Sequence, residues 1–181
     1  MSEELEVLQD VVRRLEEAGL PYMVTGSLAV SFYAQPRLTR DIDIVLEIGS
    51  GDVARLNDLF ARDFYIDQAA IQDAINRRSS FNIIHNASII KIDFIVRKPD
   101  VYRKVEFKRR RKMMIDGAEV AVVAAEDLVL SKLIWGKDSH SELQMGDARS
   151  VLKQAKELDY SYMERWAEHL GIVHLYHEAL R

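Results

Sequence analysis

Apolar residues recur at Leu5, Leu8, Val12 and Leu15, and this helical spacing predicts a first helix. Glu3 and Glu4 suit its first turn, and Gly19 suits its end. After Pro21, residues 22–25 read as a short strand that Gly26 breaks. Residues 27–34 then read as a helix opening at the glycine turn, with Pro36 ending it. A buried strand is predicted over 42–48, closed by Gly49-Ser50-Gly51. Residues 52–60 are amphipathic, with Val53, Leu56 and Phe60 on one side, and a further short helix covers 67–77. Two strands follow at 81–85 and 89–96, with the polar break at Asn86 allowing a hairpin. Pro99-Asp100 marks a turn before a helix over 101–107. Asp116-Gly117, between apolar runs at 112–115 and 120–123, is a two-residue hairpin signal. Beyond Glu126 the strand signal stops, and 128–134, 143–158 and 162–170 read as helices, with a last short one after Gly171. The order implies an α+β fold: a core with a mixed β-sheet flanked by helices over 1–124, then a helical part over 125–181.

Composition narrows the class without naming it. A chain of 181 residues with 48% hydrophobic content is long enough for one domain, or one domain with an appendage. A net charge of −4 points to no polyanionic partner by itself, so nucleic-acid binding would need a local patch. The absence of cysteine excludes disulfides and thiolate zinc sites. The acidic start Met1-Ser2-Glu3-Glu4 has no apolar signal region, and no apolar run reaches the ~20 residues of a membrane span. A cytoplasmic protein with no membrane association is expected.

The candidate chemistry lies in a Gly-Ser pair and three carboxylates. Gly26-Ser27 ends one predicted strand and opens a helix, a place where free backbone amides take phosphate. Thirteen residues separate Ser27 from Asp41-Ile42-Asp43-Ile44, where two acids two apart on a strand share a face. Asp93 alternates with Ile92 and Phe94 in a second strand. Three carboxylates meeting at strand ends make a hard-oxygen cage for Mg²⁺ or Mn²⁺. Two metals ~3.5–4 Å apart can clamp the attacking and leaving oxygens of a phosphoryl transfer. Asp41 and Asp43 would bridge such ions, Asp93 would complete the site and accept a proton, and Gly26 and Ser27 would hold the β- and γ-phosphates.

This arrangement resembles the signature of the nucleotidyltransferase (DNA polymerase β-like) superfamily: glycine, glycine or serine, a gap of roughly a dozen residues, then acid-apolar-acid-apolar. Asp93 matches the family's third carboxylate. Thr39-Arg40-Asp41-Ile42-Asp43 is similar to the form common in small bacterial members, and Asp127-Leu-Val-Leu-Ser-Lys132 resembles a motif of the AbiEii-type toxin branch. Asp147-Ala-Arg-Ser-Val-Leu resembles the stretch that follows it there. The resemblance covers about residues 22–152. It implies transfer of a nucleoside monophosphate from an NTP to an acceptor hydroxyl with release of pyrophosphate. The acceptor would be RNA, protein or a small molecule, and an antitoxin partner follows if the toxin branch applies. The alternative is a catalytically silent nucleotide-binding or partner-binding module of the same fold.

Several residues admit two readings. Asp41 and Asp43 are either ligands or solvated acids on an edge strand, and Asp93 is a third ligand or an outward residue on a half-buried strand. Ser27 is either a helix N-cap or a phosphate contact, and the two readings are compatible because the same orphan amides serve both. Lys132, among Leu128, Leu130, Leu133 and Ile134, either snorkels from a buried helix or reaches the nucleotide phosphates. Asp127 reads better as a first-turn helix acid than as a ligand. Arg37 and Arg40 either neutralise phosphate or pair with surface acids. The basic run from Arg103 to Lys112 is either a solvated face or a contact for tRNA or an acidic partner. The histidines show no metal-ligand pairing near the acids, and Trp135 and Trp166 read as core.

Overall fold

The computed structural model describes residues 2–35, 41–139 and 141–181. Helix α1 (Glu3–Glu17) is capped by Ser2, whose Oγ accepts from the Leu5 amide, and buries Val7, Leu8, Val11, Val12 and Leu15. The chain leaves it through Gly19 at φ +63° and enters β1 (Tyr22–Thr25), which runs directly into α2 (Gly26–Tyr33). Next come β2 (Asp41–Leu46), α3 (Val53–Phe60), β3 (Phe64–Tyr65) and α4 (Gln68–Arg77). The hairpin β4 (Ser80–His85) and β5 (Lys91–Val96) precedes α5 (Val101–Arg109). A second hairpin, β6 (Arg111–Ile115) and β7 (Ala118–Val122), turns on Asp116 and Gly117, both at positive φ as a tight two-residue turn requires. Helices α6 (Ala125–Ser139), α7 (Glu142–Gln154), α8 (Tyr160–His169) and α9 (Val173–Ala179) complete the chain.

Among the described residues the strands form one seven-stranded mixed sheet in the order β3-β4-β5-β2-β1-β7-β6. β1 pairs antiparallel with β2 and parallel with β7, and β2 pairs parallel with β5. Alternation along the central strands decides the two faces. Ile42, Ile44 and Leu46 of β2, with Ile92, Phe94 and Val96 of β5, are buried. On that side Phe60 of α3 packs against Phe94, with ring centroids 5.8 Å apart. Asp41, Asp43 and Val45, with Lys91, Asp93 and Ile95, therefore share the opposite face. One continuous cluster of buried residues runs from α1 through the sheet to α9.

The expected α+β order holds, with three local differences. The two-residue strand β3 is too short to show a period, and pairing with His85 and Ile84 creates it at the sheet edge. The helix expected over 143–158 stops at Gln154, and Glu157 sits at φ +57° in the turn that follows. Ile89, expected in a strand, is 72% exposed at φ +58° in the hairpin turn. Among the described residues no helix is long and apolar enough to cross a membrane.

The basic run is largely engaged within the fold rather than displayed as a patch. Arg103 binds Glu106 and Ser131, Arg109 binds Asp127, Arg111 lies 3.6 Å from Glu126, and Lys112 pairs with Glu119. Asp127 itself is fully buried. It accepts from Tyr162 Oη at 2.6 Å, Tyr102 Oη at 3.3 Å and Arg109 Nε at 2.8 Å. Burial raises its pKa, and the tyrosine and arginine donors pull it back down. These contacts tie α5, α6 and α8 together, so Asp127 is a structural acid. Tyr162→Phe removes the shortest donor to this buried carboxylate. It is expected to lower stability by about 1–3 kcal/mol in urea denaturation; an unchanged midpoint would contradict the role given to Asp127.

Candidate active site

The site begins where β1 becomes α2. Antiparallel pairing sets Thr25 opposite Asp43, so the next residue, Gly26, turns directly over the Asp43 carboxylate. Gly26 has φ +69°, and a Cβ built on it would lie 1.9 Å from Asp43 Oδ2. Both the backbone conformation and the space demand glycine here. The parallel register of β2 and β5 then places Asp93 beside Asp43, and Lys91 beside Asp41.

Lys91 Nζ lies 2.8 Å from Asp93 Oδ2 and 3.8 Å from Asp41 Oδ1. Its pKa is raised chiefly by the hydrogen bond to Asp93, against some desolvation. The three predicted carboxylates thus share one face, with a lysine ammonium among them. Asp41 stands at the exposed end of the row, while Asp43 and Asp93 are partly buried. Among the described residues no three His, Cys, Asp or Glu side chains converge as a group able to hold a metal ion. Asp43 carries the electrostatic load. Desolvation, followed by the neighbouring Asp93 charge, pushes it up to about 6, although Lys132 opposes the shift.

Lys132 does not snorkel. It is 1% exposed, with Nζ 2.8 Å from Asp147 Oδ2 and 3.5 Å from Ser27 Oγ. The buried pair joins α6 to α7 and sets a cation at the mouth of the Gly-Ser turn. A cavity of about 570 Å³ opens from there across the acid-bearing face of the sheet, floored by Val45 and Ile95. Ser27, Asp43, Asp93 and Lys132 all line it. Arg40, an expected phosphate contact, lies outside the described residues, as do Arg37 and Thr39.

The sequence reading missed three contributors. Lys91 was legible, since two residues before Asp93 on a strand means the same face. In the sequence Asp147 stands out only for its resemblance to the toxin branch, and its pairing with Lys132 depends on the packing of α6 against α7. Trp135, expected in the core, is 37% exposed and lines the cavity. Its neighbours in sequence are apolar, so only tertiary placement distinguishes it.

Residues 4–171 match the family described as nucleotidyl transferase of unknown function (DUF2204). The chain belongs to this family of nucleotidyltransferases. No curated protein sequence matches it. Solved structures share its fold at low identity. An antigenic nucleotidyltransferase-like protein from Paracoccidioides brasiliensis is 16% identical, with a TM-score of 0.54 over 83% of this chain and 75% of that one. ANT(2'')-Ia in complex with adenylyl-2''-tobramycin is 11% identical, with a TM-score of 0.57 over 94% of this chain and 98% of that one. The lincosamide antibiotic adenylyltransferase LnuA, bound to lincomycin, is 13% identical, with a TM-score of 0.51 over 83% and 98%.

The raised Asp43 gives this nucleotidyltransferase a measurable weakness. Its folded-state pKa of about 6 lies above the ordinary aspartate value of 3.8, so the folded protein favours the protonated acid. Stability is therefore lost as pH rises through the range from about 4 to about 6. In metal-free buffer, Asp43→Asn is expected to stabilise the protein by about 1–3 kcal/mol above pH 6, and by little at pH 4. Denaturant unfolding at both pH values checks this; equal effects at the two would contradict the electrostatic account.

Proposed function

We propose that the protein transfers a nucleoside monophosphate from an NTP to the hydroxyl of a small-molecule acceptor, releasing pyrophosphate. The packing of Gly26 over Asp43 carries this reading. The turn at Gly26 brings the first backbone amides of α2 close over Asp43, with Asp93 beside it, and this juxtaposition supports the reading.

The donor set fits a hard divalent cation: paired carboxylate oxygens, a backbone cradle that a side chain would fill, and an Asp43 whose charge Lys132 and Lys91 offset only in part. Asp43 and Asp93, with Asp41 at the edge, would hold Mg²⁺ or Mn²⁺, which supplies charge neutralisation and polarisation at the α-phosphate. Ser27 and the first amides of α2 bind the terminal phosphates, and Lys132 neutralises them from α6. Asp93, oriented by Lys91, accepts the proton of the acceptor hydroxyl. The acceptor oxygen forms a bond to the α-phosphorus as the bond to the β-phosphate oxygen breaks. The helical part 125–181 acts as the second wall of the nucleotide site, through Lys132.

Two observations favour a small acceptor. The cavity is of ligand size, and most of the basic run that would attract RNA is engaged with the protein's own acids. ANT(2'')-Ia and LnuA, of the same fold, are named for antibiotics. A toxin role with an antitoxin partner has less support, because Asp127 of that motif serves the fold. An NTP substrate suits a cytoplasmic setting.

The test is pyrophosphate release from each NTP with Mg²⁺ across a panel of hydroxyl acceptors. Turnover is expected with at least one acceptor, with Asp93→Asn slower by about a hundredfold to ten-thousandfold. Tight nucleotide binding without turnover on any acceptor would instead identify a silent binding module. Undiminished turnover in Asp93→Asn would remove Asp93 as the base.

A further inference from the structure

We infer that Trp135 and Gln144 form the seat of the nucleobase, and that this seat prefers a purine. The inference rests on the proposed phosphate site and names what lies beyond it. Trp135 follows Lys132 by three residues on α6, so both side chains leave the same face of the helix. Lys132 Nζ is 5.8 Å from the centroid of the Trp135 ring. The phosphate-facing cation and the indole are thus neighbours along one wall of one cavity. An indole with more than a third of its surface open, in a cavity that begins at a phosphate cradle, is a stacking platform.

Gln144 supplies the second, independent observation. It enters from α7, where a Cβ built on Gly136, the residue after Trp135, would lie 3.4 Å from Gln144 Cβ. That spacing sets Gln144 against the turn of α6 that carries Trp135. Gln144 lines the same cavity, and its Oε1 is buried without a hydrogen-bond donor among the described residues. A buried amide oxygen without a donor is costly, and such groups are normally satisfied. Each of the four common bases has an N–H on its pairing edge and a π-face beside it. A turn of the Gln144 side chain on binding brings that oxygen to the base edge, where it accepts an N–H, while the indole takes the face. The larger purine face stacks better, which sets the preference.

Trp166 is the other tryptophan of the chain, so Trp166→Phe makes emission report Trp135 alone. Non-hydrolysable ATP, GTP, CTP and UTP are titrated with Mg²⁺, with inorganic triphosphate as the base-free probe. Calorimetry on the protein with both tryptophans provides affinities independent of emission. Purine nucleotides are expected to quench Trp135 and to bind several-fold tighter than pyrimidine nucleotides, and triphosphate to leave the emission unchanged. Trp135→Ala is expected to weaken the ATP analogue about tenfold, Trp135→Phe to retain affinity within about twofold, and Gln144→Leu to weaken it several-fold. Triphosphate affinity stays the same in all three. If the ATP analogue binds but Trp135→Ala does not weaken it, or triphosphate quenches as strongly as ATP, the base lies elsewhere and the phosphate site stands. If neither nucleotide nor triphosphate binds, both readings fall.

Discussion

A side chain at position 26 and the carboxylate of Asp43 would occupy the same space. That single steric fact organises the molecule. β1 must end in a residue without Cβ, at positive φ, so that the chain can roll over Asp43 into α2. Antiparallel pairing of β1 with β2 sets Asp43 under the turn, and parallel pairing of β2 with β5 sets Asp93 next to it. The buried faces of Ile42, Ile44, Ile92 and Phe94 fix that register, because a slip by one residue would turn the acids into the core. The hydrophobic side of the sheet thus determines the geometry of its polar side.

The same face concentrates charge where water is partly excluded. Asp43 is raised to about 6 because burial and Asp93 both oppose its ionisation. Lys91 answers on one side, close to Asp93 and Asp41, and Lys132 answers on the other, itself held by Asp147. The balance leaves Asp43 short of compensation. Proteins retain such local instability at sites that bind a charged ligand, where the ligand supplies what the fold withholds. The Asp127 cluster contrasts with it: there the carboxylate meets two tyrosines and an arginine, and its role is to join helices.

Much of this was legible in the sequence because the relevant periods are short. The alternation in Asp41-Ile42-Asp43-Ile44 and in Lys91-Ile92-Asp93-Phe94 declares both the strands and their polar face. The Gly26-Ser27 spacing pointed to a turn near those acids, and the Asp116-Gly117 hairpin declared itself by its turn chemistry. What stayed hidden depends on contacts between elements distant in sequence. Lys132 sits in an apolar helix whichever way it points, and only the docking of α7 reveals Asp147 as its partner. Trp135 in a run of leucines looks like core until α6 is set over the cavity. The run from Arg103 to Lys112 looks like a patch until Glu106, Glu119, Glu126 and Asp127 come to meet it.

The central claim is that the carboxylate pair under Gly26 is a binding site for a divalent cation with a nucleotide. Titration of Mn²⁺ in the presence of a non-hydrolysable ATP analogue, with free Mn²⁺ followed by electron paramagnetic resonance, tests it most directly. The account predicts saturable uptake of Mn²⁺ by the unaltered protein, and its loss in the Asp43→Asn, Asp93→Asn double variant, which still unfolds cooperatively. Equal Mn²⁺ uptake by the folded double variant would contradict it.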